Sequence, residues 1–178
     1  DVLVVLSPDN CEMHEQLCEL PLKSGKRTYV DKTFAPSKAA AERIFAIAET
    51  YQTPCYSTSA LRFASEYEKI KGRYVKAAAF WGPNDLETYS IHQIEPMCML
   101  MQGNVKRVMA LVKDKWTQIQ AEWTDGRCTS FVCTGGDAPF AALLCLEDGS
   151  ATVTVTSDFF GGFIDNLVQF FRTGAIPV

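Results

Sequence analysis

Two residues of this sequence, Lys32 and His92, carry side chains suited to moving protons and steadying negative charge. Lys32 stands in the run GKRTYVDKTFAPSKAAAER, from Gly25 to Arg43. There Thr28, Tyr29 and Val30, β-branched or aromatic after a Ser-Gly turn signal, predict a short strand, and Ser37 predicts the N-cap of a long amphipathic helix. Strand, charged loop, helix is α/β grammar. In open α/β sheets ligands bind beyond the carboxyl ends of the strands, where Asp31 and Lys32 fall. An ammonium there can orient a hydroxyl and steady a growing negative charge; a solvated loop lysine explains the same letters. His92 lies in SIHQIEPM, with Glu95 one helical turn on and on the same face. Imidazole titrates near neutral pH and can take and return a proton, while the carboxylate can orient the ring or touch a ligand. Pro96 fits a helix only in its first turn, which places His92 at an exposed helix start. Beside Met97, Met99 and Met101, a lone histidine is also an ordinary packed residue.

The elements that must position these residues follow from the pattern. Val2 to Leu6 is an all-apolar run of the kind a central parallel strand shows when both its faces are covered. A helix carrying Met13, Leu17 and Leu20 follows, shortened or kinked by Pro21 and ended near Gly25. The helix capped by Ser37 puts Ala40, Ile44, Ile47, Ala48 and Tyr51 on one stripe and stops before Pro54. With Cys55 to Thr58 as the next strand, residues 1–60 read as a parallel βαβαβ unit. From Val75 the strands lengthen and read as antiparallel: Val75 to Trp81, Val105 to Val112, and a hairpin of Thr117 to Trp123 with Cys128 to Cys133 through Asp125-Gly126. A second hairpin joins Phe140 to Leu146 with Ala151 to Thr156 through Asp148-Gly149. A last helix, Phe163 to Arg172, closes the sequence with Ile164, Leu167, Val168 and Phe171 on one face. Residues 61–178 thus read as an α+β domain with a large, mostly antiparallel sheet.

Composition narrows the function classes. The chain has 178 residues and a formal charge of -4, enough length for a real core. Its basic residues are scattered, which argues against a nucleic-acid partner. No run approaches the ~20 apolar residues of a membrane span, and no basic stretch precedes the first apolar run, so the expectation is a cytoplasmic protein. Seven cysteines show no C-x-x-C pair or zinc-like spacing and read as reduced, packed thiols; no metal site is expected. Arg62 can bind hydroxyls or a carboxylate, or pair with Glu66 one turn on. Trp81, Trp116 and Trp123 can stack on a sugar face or fill a core.

Taken in order, these segments resemble the Gfo/Idh/MocA oxidoreductases, the family of glucose-fructose oxidoreductase and inositol dehydrogenase. A strand followed by a small residue, a proline and then a histidine is here LVVLSPDNCEMHEQ. The family's Gly-Lys-x-Val-x-x-Glu-Lys-Pro segment is similar to GKRTYVDKTFA, with Lys32 on the family lysine. Arg62-Phe63 resembles the family's Arg-aromatic loop, and SIHQIEPM its Gly-x-His-x-x-Asp/Glu helix. The resemblance covers nearly the whole chain. It implies the carboxyl-terminal remnant of a Rossmann domain binding NAD or NADP, followed by a domain supplying the substrate pocket and the oligomer interface.

What the resemblance implies for the residues is specific. Lys32 and His92 would be catalytic, in oxidation of a sugar or polyol hydroxyl. Ser7, Pro8, Asn10, Asp31 and Lys32 would line the nicotinamide side of the cofactor, with helix N-capping as the alternative for Ser7, Pro8 and Asn10, of which Asn10 can do both. Arg62 and Glu95 would bind substrate. A homo-oligomer, dimer or tetramer, would form through the antiparallel sheet. The Gly-x-Gly-x-x-Gly turn that receives a pyrophosphate belongs ahead of Asp1 in such proteins, so the sequence reads as a truncated chain that does not turn over alone. Two positions depart from the pattern. Thr33 replaces the proline after the lysine, and Thr88 stands where many relatives carry an aspartate four residues before the histidine, leaving Asp85, Glu87 and Glu95 as possible carboxylate partners. These departures favour an alternative reading, a non-catalytic carbohydrate-binding or oligomerisation module.

Overall fold

A computed structural model describes residues 1–177. Contacts divide the chain into two compact units, one of Asp1–Ser59 together with the segment from Gly161 onward, the other Ala60–Phe160. In the first, β1 (Leu3–Val5), α1 (His14–Lys23), β2 (Thr28–Val30), α2 (Lys38–Thr50) and β3 (Cys55–Tyr56) alternate. The strands pair in parallel in the order β1-β2-β3. A 3₁₀ turn, Cys11–Met13, leads into α1. Ser37 caps α2 as its type dictates, its hydroxyl accepting the Ala40 N–H at 3.2 Å. On one face of this sheet Val5, Val30 and Cys55 pack against Cys18 and Leu22 of α1 and Ile44 and Ala48 of α2. Burial pushes the thiols of Cys18 and Cys55 up to about 11 and about 12, so both are inert protonated packing groups. Arg43 clasps Glu15 with two hydrogen bonds, of 2.6 and 2.8 Å, tying α2 to α1. The apolar run Val2 to Leu6 supplies β1, which among the described residues pairs only with β2, and Val4 is 49% and Leu6 61% exposed.

The second unit opens with a 3₁₀ turn, Ala60–Phe63, and α3 (Ser65–Glu68), followed by β4 (Val75–Gly82), α4 (Leu86–Tyr89) and α5 (Ile91–Met101). Then come β5 (Val105–Lys113), β6 (Trp116–Trp123), β7 (Cys128–Cys133), β8 (Ala141–Leu146) and β9 (Gly149–Thr154). They form a six-stranded sheet in the order β5-β6-β7-β4-β8-β9. Both Asp-Gly turns close the hairpins they predict. One pair escapes the antiparallel expectation: β4 lies parallel to β7, from Ala77↔Cys128 to Gly82↔Cys133. Alternate residues Val75, Phe80, Phe131, Leu144 and Val153 face Leu61, Tyr67, Met97 and Leu100 in a single core. The opposite face is open. Trp81 is 46%, Leu143 61% and Met109 56% exposed there, around shallow grooves of about 400 and 290 Å³ floored by Ala77, Ala79 and Ala141.

The last helix, α6 (Phe159–Thr173), belongs with the parallel sheet and not with the antiparallel sheet beside which residues 61–178 place it. Phe170, fully buried, packs on Tyr56 with ring centroids 5.3 Å apart, and Phe163 on Tyr29 at 5.8 Å. Arg27 donates to the carbonyls of Phe171 and Arg172 at 2.7 and 2.9 Å, filling acceptors that the end of a helix leaves open. The reason is the strand alternation: Tyr29 and Tyr56 point away from α1 and α2, and an aromatic face of that size needs a cover. No described helix is long and apolar enough to cross a membrane. Replacing Phe170 by Ala should destabilise the first unit by about 3–5 kcal/mol, read by denaturant unfolding followed by tyrosine fluorescence; an unchanged midpoint would show that α6 does not hold this sheet.

Candidate functional site

The first unit brings its five singled-out residues to the carboxyl ends of β1 and β2. Ser7 is half-buried, and its carbonyl accepts the Asn10 N–H at 3.0 Å in the turn after β1, with Pro8 exposed between them. Asn10 precedes the 3₁₀ turn, and its side chain makes no capping hydrogen bond. Asp31 continues the β ladder, donating its N–H to the Val5 carbonyl at 3.0 Å, while its own carbonyl lies 3.5 Å from the Ser57 hydroxyl. Lys32 then turns its ammonium to the Asp9 carboxylate at 2.8 Å, with its side chain 22% exposed. In this geometry the ammonium is ion-paired and only partly exposed. His14, fully buried on α1, donates from Nδ1 to the Phe34 carbonyl at 3.0 Å; a carbonyl only accepts, so the proton sits on Nδ1. The loop holding Lys32 is thus tied on both sides.

The second unit brings together two others and sets His92 apart. Arg62 faces Glu95 at 3.8 Å, with the two side chains 20% and 19% exposed, and its guanidinium lies 5.7 Å from the centre of the Phe63 ring. The Glu66 alternative for Arg62 fails, because the Glu66 carboxylate is taken elsewhere. It accepts the N–H groups of Thr156 and Ser157, both at 2.9 Å, and the Thr156 hydroxyl at 3.2 Å, and it is also bonded to the Ser157 hydroxyl. Partial desolvation works against the charge, yet these bonds hold the Glu66 carboxyl down to about 2. His92 lies half-buried near the start of α5, its ring edge-to-face with Tyr89 at 5.2 Å and Phe140 at 5.7 Å. Beside it Gln93 is buried and donates to the Val132 carbonyl at 3.1 Å, under Gly82.

One expectation about this helix changes. Pro96 sits in the interior of α5, not in its first turn; the N–H it lacks would have bonded the His92 carbonyl, which stands four residues back. Asp85 is engaged at the start of α4. It caps α4, accepting the N–H and hydroxyl of Thr88 at 2.9 Å each, and those bonds hold its carboxyl below the usual range. Of the tryptophans, Trp123 is core, with its ring N–H on Thr129 at 3.0 Å, and Trp81 lies exposed on the open sheet face. Among the described residues no cluster of histidine, cysteine or acidic side chains could hold a metal ion.

A cofactor of the dinucleotide type fits this chain in part. The ends of β1 and β2 offer Ser7, Asn10, Asp31 and Lys32 at the crevice where such a ligand binds. The chain's own Gly-Gly pairs, Gly135-Gly136 and Gly161-Gly162, do not sit between a parallel strand and a helix, the setting in which such a turn receives a pyrophosphate.

As acid is added, Glu66 generates a dependence of known sign. Its folded-state pKa is depressed, so its contribution is complete above the ordinary glutamate range and is lost as pH falls from about 4.5 toward 2. Glu66→Gln should lower stability at pH 7 by about 1–2 kcal/mol and flatten the acid limb of melting temperature against pH; a parallel acid limb in the variant would refute the assignment.

No protein-family profile matches the sequence, and no curated protein does either. Solved structures do. UDP-N-acetylglucosamine 3-dehydrogenase GnnA from Acidithiobacillus ferrooxidans superposes with a TM-score of 0.82 at 10% identity, over 99% of this chain and 71% of that one. Scyllo-inositol dehydrogenase from Lactobacillus casei gives 0.83 at 13%, over 99% and 70%. GenD2 of gentamicin A biosynthesis, solved with NAD, gives 0.72 at 15%, over 85% and 53%. The fold of this chain, a short parallel sheet and a six-stranded, mostly antiparallel one, is that of the Gfo/Idh/MocA-type oxidoreductases.

Proposed function

We propose that this chain is the sheet-bearing part of an NAD(P)-dependent dehydrogenase that oxidises a hydroxyl of a sugar or polyol. The observation that carries the reading is the placement of Lys32, on a loop tied at Asp31 and Phe34 and ion-paired at the carboxyl ends of two parallel strands, in a fold shared with dehydrogenases. When bound, the nicotinamide would accept the hydride. The chain's part is to hold the hydroxyl and remove its proton.

Lys32, a three-proton donor, would hold the substrate oxygen and steady its negative charge as the O–H bond breaks. His92 would take that proton, and its half-buried ring, with Tyr89 and Phe140 edge-on, presents a defined orientation. Arg62 and Glu95 pair a donor with an acceptor, which suits neighbouring hydroxyls. Ser7, Pro8, Asn10 and Asp31 would form the wall at the nicotinamide end.

A second reading, a non-catalytic carbohydrate-binding or assembly module, is favoured by Thr88, which supplies no carboxylate one turn before His92 and is bonded to Asp85. The two readings separate by titrating the full-length gene product with NADH and NADPH and assaying a panel of sugars and polyols. Dehydrogenase function predicts saturable binding, and a fall in kcat/KM of about a hundredfold or more for Lys32→Ala and for His92→Ala. Turnover indifferent to both variants would sink the enzyme.

The same reading makes the open sheet face a contact between copies, in a homodimer or tetramer. Cys128 and Cys145 flank Ala77 on that face, in register, and both are exposed in the single chain. Above the dissociation constant of the oligomer both thiols should resist alkylation, and dilution should restore it. Fast labelling of both in a sample that sediments as an oligomer would place the contact elsewhere.

A further inference from the structure

Asp9 carries nothing in the sequence that marks it. It occupies the turn after β1 at a left-handed φ of 52°, a conformation that Asp tolerates better than most residues. Its Oδ1 lies 2.8 Å from the Lys32 Nζ, across 23 residues of sequence. The two residues leave neighbouring parallel strands at their carboxyl ends. The lysine side chain is 22% exposed and the aspartate 55%, so the ammonium is the more enclosed partner. The backbone around Lys32 is already fixed, by His14 at the Phe34 carbonyl and by the ladder bond of Asp31 to Val5. What such a backbone leaves loose is the four-carbon stem, which carries about 2 kcal/mol of rotamer entropy. A charge-assisted hydrogen bond from a carboxylate in a tight turn is the direct way to restrain it.

Building on the dehydrogenase reading, we propose that Asp9 is a positioning residue, holding the Lys32 ammonium over the ends of β1 and β2 where the substrate oxygen would be met. It acts through Lys32 and does not itself touch the reacting atoms. Loss of the contact then costs turnover more than binding, since a displacement of about 1 Å can cost a hundredfold in rate.

Asp9→Asn, Asp9→Glu and Lys32→Ala, made in the full-length gene product, test this by two readouts. One is steady-state kinetics; the other is a limiting pulse of acetic anhydride, with acetylation of each lysine read by mass spectrometry. In Asp9→Asn, Lys32 should be acetylated several-fold faster than in the parent, while Lys38, whose side chain is 90% exposed, is unchanged. In the same variant kcat should fall by about tenfold to a hundredfold with KM little altered, and Asp9→Glu should recover part of both effects. Identical Lys32 acetylation in the parent and Asp9→Asn overturns the proposal, as does an unchanged kcat in Asp9→Asn when Lys32→Ala abolishes turnover. Turnover that survives Lys32→Ala overturns the dehydrogenase role of the lysine, and the positioning role with it.

Discussion

The first unit depends on a strand that must be covered on both sides. β2 is three residues long and every one is buried; its neighbours β1 and β3 are three and two residues long. A ladder that short contributes few hydrogen bonds, each of them modest once exchanged against water. The sheet therefore persists through what its side chains meet. Val30 goes to α1 and α2, and Tyr29 to α6. The cover on the second face comes from more than a hundred residues further along the chain, so both ends of the sequence must fold together before Asp31 and Lys32 have a fixed origin. The ion pair at Lys32, and any chemistry built on it, inherits that requirement.

Most of the elements were legible because their signals are local. The β-branched and aromatic run at 28–30, the Ser37 cap and the two Asp-Gly hairpins each declare themselves within a few residues, and each is present where the letters place it. What the letters do not carry is pairing between distant strands. β4 and β7 lie parallel although each is flanked by antiparallel partners, and alternation within a strand is the same for either direction. The destination of α6 was hidden for a like reason. An amphipathic helix states that it has an apolar face, not which sheet receives it.

Legibility at the candidate site divides in the same way. Lys32, His92, Arg62 and Glu95 could be singled out from residue type and neighbourhood, and the structure shows Arg62 and Glu95 in contact. Their supports could not. Asp9 meets Lys32 across 23 residues, His14 meets Phe34 across 20 and Glu66 meets Ser157 across 91. A capping residue beside its helix is visible in sequence; an acid that caps a loop from another part of the chain looks like any exposed acid.

Around His92 the support is built from its neighbours. Gln93, one residue on, is pinned by its amide to β7, and it can lie there only because Gly82 has no side chain: a Cβ at that position would stand 2.6 Å from the Gln93 Nε2. Adjacent residues on a helix point about 100° apart, so pinning Gln93 to the sheet sends His92 to the flank, between Tyr89 and Phe140. Pro96 contributes from the other side, by withdrawing the N–H that the His92 carbonyl would otherwise accept. A glycine and a glutamine, neither able to transfer a proton, thereby help decide on which side of this helix its one imidazole lies.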